Sequence, residues 1–174
     1  MWRYAVALWL AGSVMASAQV IDQFGPGAET RWRYIADGVM GGVSQGRAEI
    51  TQDGLRLSGV VSTDNNGGFI QVRHMLQQAL SADAQALVLS ARGNGAEYTI
   101  FLRTKDARRP WHNYKASFLA GQAWSETRLP FTVFERSNAV LPEVLNPADV
   151  ISIGIAGYGA DYRADVTVRE VKVE

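Results

Sequence analysis

Along most of this chain apolar and polar positions alternate with a period of two, in short runs broken by Gly-rich turns. That period places successive side chains on opposite faces of a strand. The alternation predicts strands at Arg31–Ala36, Phe69–His74, Ala86–Ala91, Ala96–Arg103, His112–Leu119 and Trp124–Leu129, the last stopped by Pro130. Arg47–Gln52 and Leu55–Val61 read as a hairpin around Asp53-Gly54, with Leu55, Leu57 and Val61 on one face. In Ala96–Arg103 both alternating sets, Tyr98, Ile100, Leu102 and Thr99, Phe101, Arg103, are partly apolar, which predicts a central strand covered on both faces. Tyr114, Ala116 and Phe118 alternate with Lys115 and Ser117, a half-exposed pattern, and Ile151, Ile153 and Ile155 alternate with Ser152 and Gly154. Near the end, Val166 and Val168 give way to Val171 and Val173, so the apolar set changes parity. This requires either a bulge near Arg169-Glu170 or cover on both faces.

Helical signals are few. Leu76, Ala79 and Leu80 share a helical face, consistent with a turn over Met75–Leu80, and Asn146-Pro147 reads as an N-cap before one turn at Pro147–Val150. About ten strands with almost no helix, no internal repeat and no low-complexity linker predict one all-β domain, an antiparallel β-sandwich of jelly-roll type.

The first residues change the picture of where this domain works. Arg3 opens a run, Tyr4 to Met15, apolar apart from Ser13, and Ala16-Ser17-Ala18 has the small-x-small form of a cleavage site. As a helix the run spans ~18 Å, short of the ~30 Å hydrocarbon core. Residues 1–18 are therefore expected to be a signal peptide and 19–174 the working domain, periplasmic or secreted, with no stable membrane span after leader removal. No Cys follows the small residues, which removes a lipid anchor; with no Cys anywhere, disulfides, Cys-ligated zinc and thiol catalysis go too. The 17 basic and 17 acidic residues balance, and no basic stripe points to nucleic acid. The basic cluster Arg103-Thr104-Lys105 with Arg108-Arg109 is interrupted by Asp106 and reads as a solvated hairpin tip.

The stretch that departs from alternation is Asp37 to Ser44, DGVMGGVS. Asp37-Gly38 is a turn dipeptide, and Gly41-Gly42 lets the backbone bend or approach another surface. Val39 and Met40 stand between them in what is otherwise a loop, and we expect one of them to tuck inward against the domain.

This stretch closely resembles the signature of the thirty-kilodalton complex I intermediate-associated protein family. Further segments match in order: Gly67–Phe69, Arg92–Tyr98, Asn113–Phe118, Trp124–Phe131 and Ser152–Ile155. The resemblance implies a galactose-binding-domain-like β-sandwich and a role related to assembly of NADH:ubiquinone oxidoreductase.

Catalytic patterns fail on inspection. Gly42 to Gly46 spells G-x-S-x-G, but a nucleophile elbow needs a strand-to-helix turn, whereas Ser44 is followed by a predicted strand. A hydrolase on Ser44 is thus the remote alternative. Two histidines, His74 and His112, do not supply a zinc site. Asp64-Asn65-Asn66 gathers hard oxygens that calcium would accept, but D-N-N-G-G is also what a tight turn wants. No cofactor fingerprint is present.

Binding remains. The candidate residues are Asp37, Met40, Gly41, Gly42 and Ser44 of the signature, Asn66 of the second Gly-rich turn, and Trp111, His112 and Tyr114 after the basic tip. A protein partner, in the manner of an assembly factor, is the first reading. Glycan binding through an exposed aromatic is the second. The signature also has a purely architectural reading, as a turn that closes the sandwich.

Overall fold

The computed structural model describes residues 18–174, so the expected leader lies, except for Ala18, outside the described residues. The strands are β1 (Gln19–Asp22), β2 (Trp32–Ala36), β3 (Gln45–Thr51), β4 (Gly54–Val61), β5 (Phe69–Met75), β6 (Ala86–Gly93), β7 (Glu97–Thr104), β8 (Tyr114–Leu119), β9 (Ser125–Pro130), β10 (Glu135–Arg136), β11 (Val150–Tyr158) and β12 (Tyr162–Val173). A short helix, α1 (Ala28–Arg31), precedes β2. Every pairing is antiparallel. The first sheet runs β3-β4-β12-β6-β9, with β1 beside the far end of β12, and the second runs β10-β8-β7-β11-β5-β2.

The two sheets face each other across one core. Leu57, Val166, Leu87 and Leu89 of the first meet Ile70, Ile100, Ile153 and Ile155 of the second, all in one buried cluster. Each such side chain contributes roughly 1.5–3 kcal/mol by leaving water. The predicted sandwich therefore forms, and β7 lies inside its sheet as its double-sided pattern required.

The change of parity near the end has a concrete cause. Against β6, Val168 pairs with Ala91 and Glu170 with Ser90, so Arg169 is the extra residue of a bulge. It restores Val171 and Val173 to the core beside Val166 and Val168. The freed Arg169 guanidinium lies over the Trp124 ring at 4.6 Å, and Arg92 lies over it at 5.0 Å. Trp124 is thus a packing residue of the first sheet's outer surface.

Two local expectations resolve differently. The turn at Pro147–Asp149 forms as a 3-10 turn, and the Asn146 side chain caps its first available N–H by accepting from Ala148 N at 3.1 Å. The helical turn over Met75–Leu80 does not form. Met75 ends β5, the Leu76 N–H continues the ladder by donating to Ile151 O at 2.9 Å, and Leu80 is buried as a single core residue. Six residues are too few to nucleate a helix by themselves, and the stretch bends at Gln77-Gln78 instead.

Candidate functional site

The signature folds around one carboxylate. β2 ends at Ala36, and Asp37–Met40 makes a 3-10 turn closed by Gly41 at φ 90. The chain then doubles back, with the Gly42 N–H donating to Asp37 O at 3.0 Å. A Cβ on Gly42 would overlap the Asp37 carboxyl carbon, and one on Gly67 would overlap Asp37 Oδ2. Both positions are therefore glycine because the carboxylate fills the space a side chain would need.

That carboxylate is fully buried. Asp37 Oδ1 accepts the Ser44 N–H at 3.0 Å. Oδ2 accepts the Ser44 hydroxyl, the Gly68 N–H at 2.6 Å and the Phe69 N–H at 3.2 Å. The Ser44 oxygen in turn accepts the Ser62 N–H at 2.9 Å. Asp37 follows β2 and Phe69 opens β5, both of the second sheet; Ser44 precedes β3 and Ser62 follows β4, both of the first. One buried side chain therefore latches the two sheets together at one end. Burial pushes its pKa up, but the hydrogen bonds from Ser44, Gly68 and Phe69 outweigh this and hold it below the ordinary 3.8.

With the inner side of the loop occupied by the latch, its apolar side chains go outward. Val39 is 78 %, Met40 64 % and Val43 45 % exposed. The expected inward tuck of Val39 or Met40 is thus incorrect: the group that turns inward is the carboxylate. Of the signature candidates, Asp37 and Ser44 are enclosed, Gly41 and Gly42 shape the turn, and Met40 is presented to solvent. Asn66 is exposed at φ 59, in a tight turn with Asn65 at φ 56, and delivers Gly67 and Gly68 to the latch.

The aromatic candidates do not share a surface. Trp111 is 62 % exposed, with the Arg109 guanidinium 6.0 Å from its ring. His112 is buried, and Tyr114 points into the core with its hydroxyl donating to Pro142 O at 2.7 Å. The Ser44 hydroxyl is engaged by Asp37, and the chain enters strand β3 directly after it, so the elbow geometry is not built. His74 packs on Trp32, 5.2 Å between ring centroids, with Nδ1 3.2 Å from Arg31 O. Among the described residues there is no group of three or more His, Asp or Glu side chains placed to hold a metal.

A second surface escaped the sequence reading: the outer face of the second sheet. Register aligns its outward side chains in rows. Arg33 of β2 stands opposite Arg73 of β5, Arg73 opposite Gly154 of β11, Gly154 opposite Phe101 of β7, and Phe101 opposite Lys115 of β8. Ser152, Gly154 and Ala156 form a low floor along β11 that is itself buried between the longer side chains on both sides. Towards the latch end lies an open cleft of about 460 Å³ lined by Thr99, Lys115, Glu135 and Tyr158. Tyr158 is half-exposed, meets Phe101 edge-on at 5.1 Å, and has Lys115 Nζ 5.8 Å from its ring. Parity within each strand marked these residues as outward, but only cross-strand register brings them together.

Among the described residues no helix is long and apolar enough to cross a membrane. The architecture is similar to that of carbohydrate-binding modules. A family 11 module from Clostridium thermocellum, solved in complex with a beta-1,3-1,4-mixed-linked tetrasaccharide, superposes with TM-score 0.73 at 16% identity, covering 90% of this chain and 94% of that one. A family 29 module from Piromyces equi gives TM-score 0.56 at 12% identity over 92% and 91%. A family 30 module gives 0.58 at 14% over 91% and 99%. At these identities the likeness establishes the jelly-roll, galactose-binding-like fold. No curated protein matches the chain in sequence. The model of the complex I intermediate-associated protein 30 (CIA30) family matches residues 21–164, the span that contains the latch, its glycines and the strands they join, and the chain belongs to that family.

Proposed function

We propose that this chain is a non-catalytic recognition domain that docks a protein partner on its signature loop, in the manner of the assembly factors for which its family is named. The observation that carries this is the pairing of Asp37 with Val39 and Met40. A fully buried carboxylate fixes the loop backbone, and two large apolar side chains stand on it in solvent. A fixed backbone lowers the entropy lost on binding, and desolvated apolar anchors supply most interface energy. The test is affinity capture from envelope extracts with the native domain and with Val39→Asp/Met40→Asp. The native domain should retain a defined membrane-complex component, and the double variant should lose it with its melting temperature unchanged. Equal capture by both, or none by either, would contradict the reading.

The expected export belongs to this proposal. Cleavage after Ala18 leaves β1 whole, from Gln19 paired with Val173 onward. N-terminal sequencing of protein from a periplasmic or extracellular fraction should begin at Gln19. Recovery only from cytoplasm with Met1 retained would reject it.

A second reading, glycan binding, is favoured by the open face of the second sheet. A half-exposed Tyr158 beside the polar walls of the cleft, Thr99, Lys115 and Glu135, suits the apolar face of a sugar ring.

A further inference from the structure

Three adjacent strands of the second sheet, β2, β5 and β11, contain no Asp or Glu, yet β2 and β5 bring Arg33 and Arg73 directly opposite each other. Like charges in that relation destabilise a sheet. Arg73 is only partly exposed and has neither an ion pair nor a hydrogen-bond acceptor among the described residues. Burial first, and then the nearby charge of Arg103, hold its pKa below the ordinary value. On the same face three polar side-chain atoms are buried without partners: Gln71 Oε1, Arg103 Nε and Asn113 Oδ1. Gln71 is 5 % exposed, and its Oε1 lies over the floor, 3.0 Å from where a Cβ on Gly154 would sit. Unpartnered buried polar groups are rare, and here they cluster around uncompensated positive charge.

We propose that Arg73 and Arg103 form an anion subsite that takes the carboxylate of an acidic sugar, a uronic acid residue, on the outer face of the second sheet. This rests on the glycan reading of that face and names its substrate class. Arg73 supplies the paired N–H donors that match a carboxylate; Arg103, whose Nη2 already donates to Ala107 O at 3.3 Å and Arg109 O at 3.2 Å, adds its charge and its remaining Nη1 donors, while Gln71 and Asn113 offer polar atoms for ring hydroxyls. Phe101 separates the arginines from Lys115 and, with Tyr158, supplies an aromatic wall leading into the open cleft. An acidic peptide suits this site less well, because extended peptides add to sheet edges, and β5, β11 and β7 are each paired on both sides.

The test is titration of the intact domain with tetragalacturonate, its methyl ester, inorganic phosphate and an oligoglutamate peptide, repeated with Arg73→Gln and Arg103→Gln. The expected result is saturable binding of tetragalacturonate, weakened about tenfold or more by esterification and by either substitution. Arg73→Gln should keep or raise the melting temperature, because it relieves the repulsion from Arg33, whereas loss of a structural residue would lower it. Equal binding of acid and ester, unmoved by the substitutions, would overturn the acidic subsite and leave the glycan reading standing. No sugar binding at all would overturn both. Binding of phosphate or oligoglutamate without tetragalacturonate would overturn the sugar assignment.

Discussion

Asp37 shows how one side chain gives a sequence signature its form. Its four accepted hydrogen bonds reach Ser44, Gly68 and Phe69, and its bulk explains glycine at 42 and 67. Replacing it with Asn keeps the shape but sets an amide NH₂ among N–H donors. We expect a loss of about 3 kcal/mol, hence roughly 6–12 °C in melting temperature. Gly42→Ala should destabilise for lack of space, whereas Gly38→Ala, with nothing within 4 Å, should be tolerated. Thermal melts of the three variants check this.

The charge of Asp37 also predicts a pH effect. Its folded pKa lies below the unfolded 3.8, so the unfolded state binds the proton first and stability falls with acid. The contribution is whole above about pH 5, declines below that, and is lost once the folded carboxylate protonates. Asp22 acts in the same direction: burial opposes ionisation, but hydrogen bonds from Arg31, Trp32 and Phe24 hold it low. Denaturant unfolding from pH 7 to pH 3 should therefore show a shallower acid limb in Asp37→Asn than in the native domain. Identical limbs would mean that Asp37 is not ionised in the fold. The sequence placed Asp37 at a turn but hid its direction, because a carboxylate enclosed by distant N–H groups leaves no local pattern.

At the scale of elements, what was legible was periodicity. The parity change between Val168 and Val171 announced a bulge, and Arg169 is it. Deleting Arg169 should turn Val171 and Val173 outward and draw charged neighbours inward. Each displaced valine costs roughly 1.5 kcal/mol or more, and the ladder loses its register besides, so the deletion should melt below Arg169→Ala, which gives up the stack on Trp124 and the hydrogen bond from its Nε to Ser90 Oγ at 2.8 Å, about 1 kcal/mol each. Circular dichroism melts separate the two, and equal melts would refute the bulge's role. Short elements were illegible. β10 is two residues long and β1 four, so neither carries a full alternation, and the stretch after Met75 was decided by a single backbone bond to Ile151. The open face of the second sheet was hidden for another reason. Arg73, Phe101 and Lys115 meet through register, and register is a property of strand pairs rather than of any one strand.

For the whole molecule, the latch and the open face assign different work to different regions. The latch end joins the sheets and presents Val39 and Met40, while the outer face of the second sheet gathers arginines that have no carboxylate partner among the described residues. The family resemblance carried by the sequence pointed at the first region, whose glycines and carboxylate serve architecture. The side chains left free for recognition are those between them. The most direct test is photo-crosslinking from position 40, with a photoreactive amino acid there and, as control, at exposed Thr132. The account predicts a defined protein adduct from position 40 that is absent from position 132 and is lost when Asp37→Asn loosens the loop. The same adducts from both positions, or none above background from position 40, would contradict it.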